Sequence, residues 1–134
     1  MLNKIFLLFS CFAILILLWS CSEHRQQRHA QFQEWITNNG KLKILSTTGM
    51  IDDLVKNIGG SHVDALTLIH GELDPHSYQL VKGDDEKLSF AQIIFYNGLE
   101  LEHGPSLRNY LSRHGKTVSL GDRIMQSDPS QVIL

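Results

Sequence analysis

Cysteine is almost absent from this chain, which carries only Cys11 and Cys21. Cys11 lies inside the apolar run that opens the sequence. Removal of that run would leave Cys21 without a partner, so no disulfide is expected. An excess of charge of either sign is also missing: 12 basic residues stand against 14 acidic ones, for a net charge of −2. Phosphate contacts need a basic face, so nucleic acid is excluded as a partner. There is no nucleophile motif, no glycine loop of the kind that cradles phosphate, and no carboxylate pair placed for acid–base work. An enzyme is therefore not expected. Proline is scarce, with three in 134 residues, and one of them, Pro75, lies between Asp74 and His76. Histidine is the residue in surplus. The seven histidines are scattered, and their number alone does not make a metal site.

The first 21 residues read as an address. Lys4 supplies a positive start, Ile5 to Trp19 is an apolar run, and Ser20-Cys21 follows. The order Leu18-Trp19-Ser20-Cys21 resembles the lipobox of bacterial lipoproteins, although Trp19 is bulky for its position. The resemblance implies a lipid on the Cys21 sulfur and a mature chain tethered at a membrane. An uncleaved membrane anchor and a plain secretory signal are the alternatives, and all three carry residues 22–134 out of the cytoplasm. Residues 22–40 are polar, partly suited to helix, and read as a spacer ending at Asn38-Asn39-Gly40.

From Lys41 onward strands and helices alternate. Lys41 to Thr47 has the pattern of a strand, and Thr47 or Thr48 is placed to cap a helix. Met50, Ile51, Leu54, Val55 and Ile58 repeat at helical spacing before Gly59-Gly60 ends the run. Val63 to Ile69 is the next strand. Asp84 to Phe90 reads as a short helix with a solvated acidic start, and Ala91 to Tyr96 as a strand covered on both faces. Pro105 opens another helix that stops at Gly115, Lys116 to Leu120 is a last strand, and the stretch from Gly121 has no strong pattern. The fold class expected is α/β, a parallel sheet with helices on both faces. In such sheets ligands sit beyond the carboxyl ends of strands, which directs attention to the loop after the second strand.

That loop holds Gly71-Glu72-Leu73-Asp74-Pro75-His76-Ser77-Tyr78, and Ile94-Phe95-Tyr96-Asn97-Gly98-Leu99-Glu100-Leu101-Glu102 follows later in the chain. With Thr47-Thr48 and Ile58-Gly59-Gly60 upstream, these segments closely resemble the solute-binding proteins of bacterial ABC transporters for zinc, manganese and iron, the TroA-like and ZnuA-like family. The resemblance spans about Leu42 to Leu120. It implies two α/β lobes with a metal held between them by about four side chains, and it makes His76 the first ligand. The second family histidine lies beyond the Asn-Gly-x-x-Leu-Glu segment in another Asp-Pro-His-like stretch; Ser127-Asp128-Pro129-Ser130 either carries serine at that place or does not correspond to it, and no second ligand is assigned.

The chemistry of the residues agrees with that assignment. Neutral imidazole suits zinc, manganese and iron, and Pro75 stiffens the loop. Asp74 has two available roles: capping a backbone donor of the loop, which is preferred, or accepting from the imidazole N–H. His103 follows Glu102 and has ligand character, but the family places that region near the lobe interface and outside the metal's contacts, so a structural role is expected for Glu100 and Glu102. His24, His29, His62, His70 and His114 are expected to be solvated or structural. No long histidine-rich acidic loop is present, which tilts the metal toward manganese, iron or a less specialised zinc site.

The resulting expectation is a leader over 1–21, a spacer over 22–40 and the N-terminal lobe of a truncated metal receptor over 41–134. Its partners would be an ABC permease and the membrane, with a second lobe or a homo-oligomer completing the site for a divalent ion. The competing expectation is a lipid-anchored interaction or adhesion module that keeps the lobe without metal binding, or a non-functional fragment.

Overall fold

A computed structural model describes residues 26, 29–71, 73–128 and 130. Residues 1–21, expected to be a leader and holding Cys11 and Cys21, lie outside the described residues, as do His24 and Pro129. The chain divides into two units, Met1–Glu34 and Trp35–Leu134. In the first, residues 29–34 are helical. The second contains the sheet.

Strand β1 (Leu42–Ser46) leads through helix α1 (Gly49–Gly59) and a single 3₁₀ turn (Gly60–His62) to β2 (Val63–Thr67). After the histidine loop come α2 (Asp84–Phe90), β3 (Ile93–Tyr96), α3 (Pro105–Arg113), β4 (Thr117–Ser119) and α4 (Leu120–Ser127). All pairings are parallel and the order across the sheet is β2-β1-β3-β4. The chain steps from β1 to β2 in one direction and reaches β3 and β4 in the other. Right-handed crossovers then put α1 on one face and α2 and α3 on the opposite face. The reversal at β1 also opens a crevice at the carboxyl ends of β2, β1 and β3, where a doubly wound sheet binds ligands.

Leu45, Leu66, Leu68, Leu88, Ile94 and Leu107 are fully buried and form the centre of the core. They come from the two central strands, β2 and its following loop, and α2 and α3, so sheet and helices are packed as one body. Trp35 is buried as well and donates its indole N–H to the Asp64 carbonyl at 2.9 Å. Around it, Asn39, Lys41 and Lys43 converge on the Asp64 carboxylate. The Lys43 ammonium, 2.6 Å away, is the main reason the Asp64 pKa falls from 3.8 to about 2.

Four local expectations are corrected. Thr48 occupies the N-cap of α1 but its side chain makes no capping bond; the neighbouring Thr47 hydroxyl is drawn elsewhere, as described below. The apolar stripe of α1 is only partly covered: Ile51 is buried, whereas Met50, Leu54 and Ile58 are exposed. The acidic start of α2 is not solvated throughout, because Asp84 is 1 % exposed and serves as an internal acceptor. The stretch after Gly121 is helical, held by a reciprocal cap in which the Ser119 side chain accepts from Asp122 N–H and donates to its carboxylate. No residue of α4 is buried.

Among the described residues no helix is long and apolar enough to cross a membrane.

Candidate metal centre

His76 lies in the loop after β2, as the alternation of elements requires, and its side chain is exposed. Asp74 organises this loop from within. One carboxylate oxygen accepts from the His76 backbone N–H at 3.0 Å and the other from the Ser77 hydroxyl at 2.9 Å. This is an Asx-type turn, with Pro75 at the position where a fixed φ is tolerated. The two donors hold the Asp74 carboxyl below its ordinary pKa of 3.8, the backbone N–H of His76 contributing most. Both oxygens are thereby used on the loop's own backbone and Ser77.

Tyr78 anchors the far side of the loop. Its hydroxyl donates to Asp84 at 2.7 Å, and the same carboxylate accepts from Val81 N–H at 2.9 Å and from Lys87 at 3.1 Å. Asp84 is thus a buried acceptor with several donors, which is the condition under which a carboxylate is tolerated in a core.

The loop after β3 is tied down differently. Glu102 is 5 % exposed, and its Oε1 accepts from the Thr47 hydroxyl at 2.7 Å and from Asn97 N–H at 2.8 Å, while Oε2 accepts from Gly98 N–H at 3.1 Å. A single side chain therefore joins the end of β1 to the turn after β3. Within that turn Leu99 and Glu100 have φ of 48° and 65°. Left-handed backbone at two successive non-glycine residues is costly, and the Glu102 carboxylate offsets it by satisfying the turn's N–H groups.

The two loops then meet. Gly104 lies so close to the Tyr78 carbonyl that a Cβ added at Gly104 would stand 1.6 Å from that oxygen. Ser106, at the start of α3, accepts from Leu80 N–H at 2.9 Å and donates its hydroxyl to Gln79 Oε1 at 2.8 Å. The backbone two residues after His76 is thus fastened to the backbone one residue after His103. As a consequence the rings of His76 and His103 face each other, with centres 5.7 Å apart and planes inclined by 21°. His103 also lines a cavity of about 490 Å³ with Tyr96, Leu99, Arg108 and Met125.

His62 is exposed in the 3₁₀ turn. His114 stacks on Tyr110 at 3.8 Å, with Nδ1 2.8 Å from the Tyr110 carbonyl. Among the described residues no group of three or more His, Cys, Asp or Glu is arranged to hold a metal. Sequence reasoning identified Glu102 as structural but not its bond to Thr47, and gave no reason to bring His103 to His76. The available signal was Gly104-Pro105 directly after His103, a small residue at a helix start where another backbone can approach.

Comparison with known proteins supplies the family. Residues 44–131 match the family described as zinc-uptake complex component A, periplasmic (ZnuA). The metal-binding protein YtgA of Chlamydia trachomatis is 40 % identical over 118 residues, covering 88 % of this chain and 34 % of that protein. A manganese ABC transporter substrate-binding lipoprotein, PsaA of Streptococcus mitis, is 33 % identical over 102 residues, covering 76 % of this chain and 30 % of its own length. Among solved structures, Fe(III)-bound YtgA from C. trachomatis superposes with a TM-score of 0.63 at 44 % identity, covering 66 % of this chain and 31 % of that one. The periplasmic zinc-binding protein TroA of Treponema pallidum gives 0.58 at 37 % identity, covering 66 % and 32 %. The chain spans about a third of the length of these relatives. With its four-stranded parallel sheet, its histidine loop beyond β2 and a family match over most of that sheet, the chain belongs to the ZnuA family and corresponds to the N-terminal portion of a TroA-like metal solute-binding protein.

Proposed function

We propose that this chain is the first lobe of an extracytoplasmic metal-ion receptor that serves an ABC importer. The family consists of metal-binding uptake components and not enzymes. The observation that carries the reading is the placement of His76: an exposed imidazole on a loop stiffened by Pro75 and the Asp74 turn, at the carboxyl-end crevice of a parallel sheet. A neutral imidazole there offers a lone pair to zinc, manganese or iron, and the loop's internal bonds reduce the entropy lost when the ion is captured. The metal is cargo. Relatives named for Fe(III), zinc and manganese support a transition-metal ion, and an ABC permease is the partner in keeping with the transporter relatives. Attachment through a lipid on Cys21 agrees with the lipoprotein names of two relatives.

Calorimetric titration of the full chain in detergent with Zn²⁺ and with Mn²⁺ tests the metal reading. Binding at a Kd of about 10 μM or tighter, lost in His76→Ala, is the expected result. Equal heats in the wild type and His76→Ala would contradict it. For the tether, palmitate incorporation should disappear in Cys21→Ser.

A further inference from the structure

We propose that His103 is a second metal-contacting residue, so that His76 and His103 grip one ion as a pair on this lobe alone. The inference rests on the metal reading of His76 and goes beyond it, because it assigns a ligand on the loop after β3.

Three observations carry it. The first is distance. Two imidazole nitrogens at about 2.0–2.1 Å from one zinc ion put the ring centres about 5 Å apart at a tetrahedral angle. The observed 5.7 Å is close to that value, and because the rings are stacked with their in-plane lone pairs not yet convergent, each exposed side chain must turn about its own bonds to aim one nitrogen at a shared ion. The second is that the approach is built into the backbone. Gly104 packs on the Tyr78 carbonyl, and Ser106 bonds both Leu80 and Gln79. Each histidine is thus a short step from a fixed contact between its loop and the other. The third is that both side chains are exposed, so neither ring contributes much to the core and each keeps nitrogen atoms accessible to an ion. Two neighbouring carboxylates are committed, Asp74 to its own turn and Glu102 to Thr47, Asn97 and Gly98, while Glu100 lines the same cavity as His103. The pair offers two nitrogen donors and leaves the remaining coordination positions open to water or to other donors. Two nitrogen donors favour borderline ions such as zinc over hard ions such as magnesium or calcium.

The same ring separation also occurs in ordinary aromatic pairs, so the test must separate ligation from packing. Histidine side-chain ¹⁵N–¹H spectra of the full chain, recorded during titration with Zn²⁺, read each imidazole directly. The nitrogens of His76 and His103 should shift together at one midpoint, while those of His62 and His114 stay in place. His103→Ala should weaken zinc about tenfold or more, and His103→Asn, which preserves a polar side chain of similar reach, should not restore it. His62→Ala serves as the control and should bind as the wild type does. Zinc binding that is lost in His76→Ala but unchanged in His103→Ala overturns the pair and leaves the metal reading standing. A wild-type chain whose imidazoles do not respond to zinc overturns both. Unchanged amide spectra in His103→Ala would confirm that a lost affinity is not a lost fold.

Discussion

The loops after β2 and β3 are both fastened by a carboxylate, but in opposite ways. Asp74 is exposed and bonds only to residues two and three positions ahead. Glu102 is buried and reaches across 55 positions of sequence to Thr47. The first arrangement shapes a loop without committing the core to it. The second makes the loop part of the core, since the same side chain satisfies donors at the ends of two strands. Local fastening gives a histidine that can adjust to an ion, and core fastening gives one whose backbone is fixed.

The contrast breaks most readily at Glu102. Glu102→Ala strands the Thr47 hydroxyl and two turn N–H groups in a buried setting, and a loss of about 4 kcal/mol is expected in urea unfolding. A loss below about 1 kcal/mol would show that the loop is not part of the core. Gly104→Ala comes next. Its Cβ cannot coexist with the Tyr78 carbonyl, so the loops must separate at a cost of about 2–3 kcal/mol, and the His76–His103 nuclear Overhauser contacts should vanish. Tyr78→Phe removes one hydrogen bond to Asp84 while other donors remain, and about 1 kcal/mol is the expected cost.

The smallest effect concerns acid stability away from both loops. Asp64 is depressed from 3.8 to about 2 by Lys43 and its neighbours. A carboxylate whose folded pKa is lowered contributes stability that is present above the unfolded pKa and is lost as pH falls through the folded one. Asp64→Asn should therefore flatten the stability profile between about pH 4 and pH 2 and leave the shape near neutrality unchanged. A profile parallel to the wild type in that window would show that the Lys43 pair does not differ between folded and unfolded chains.

Much of the architecture was legible in the sequence because it follows from local rules. The period of Ile44 and Leu45 against that of the helix after Thr48, the stop at Gly59-Gly60 and the start at Pro105 each depend on a few neighbouring residues. The acidic start of α2 was legible as a helix start and misleading as a surface, because what buries Asp84 is Tyr78, six residues earlier. The α4 helix was hidden for a different reason: Leu120, Ile124 and Met125 do fall at helical spacing, but the helix is only 8 residues long and too short for that period to stand out. His76 was found through the pattern around it. Its proximity to His103 was not, since it depends on a glycine that admits a carbonyl and on a strand order in which β2 and β3 flank β1. Neither is readable without the fold.

In this reading two loops of the lobe present two imidazoles to one ion. Zinc K-edge absorption fine structure on the zinc-loaded full chain counts those imidazoles directly through their multiple-scattering signal. Two are expected in the wild type and one in His103→Ala. A wild-type spectrum with fewer than two imidazoles, or one left unchanged by His103→Ala, would contradict it.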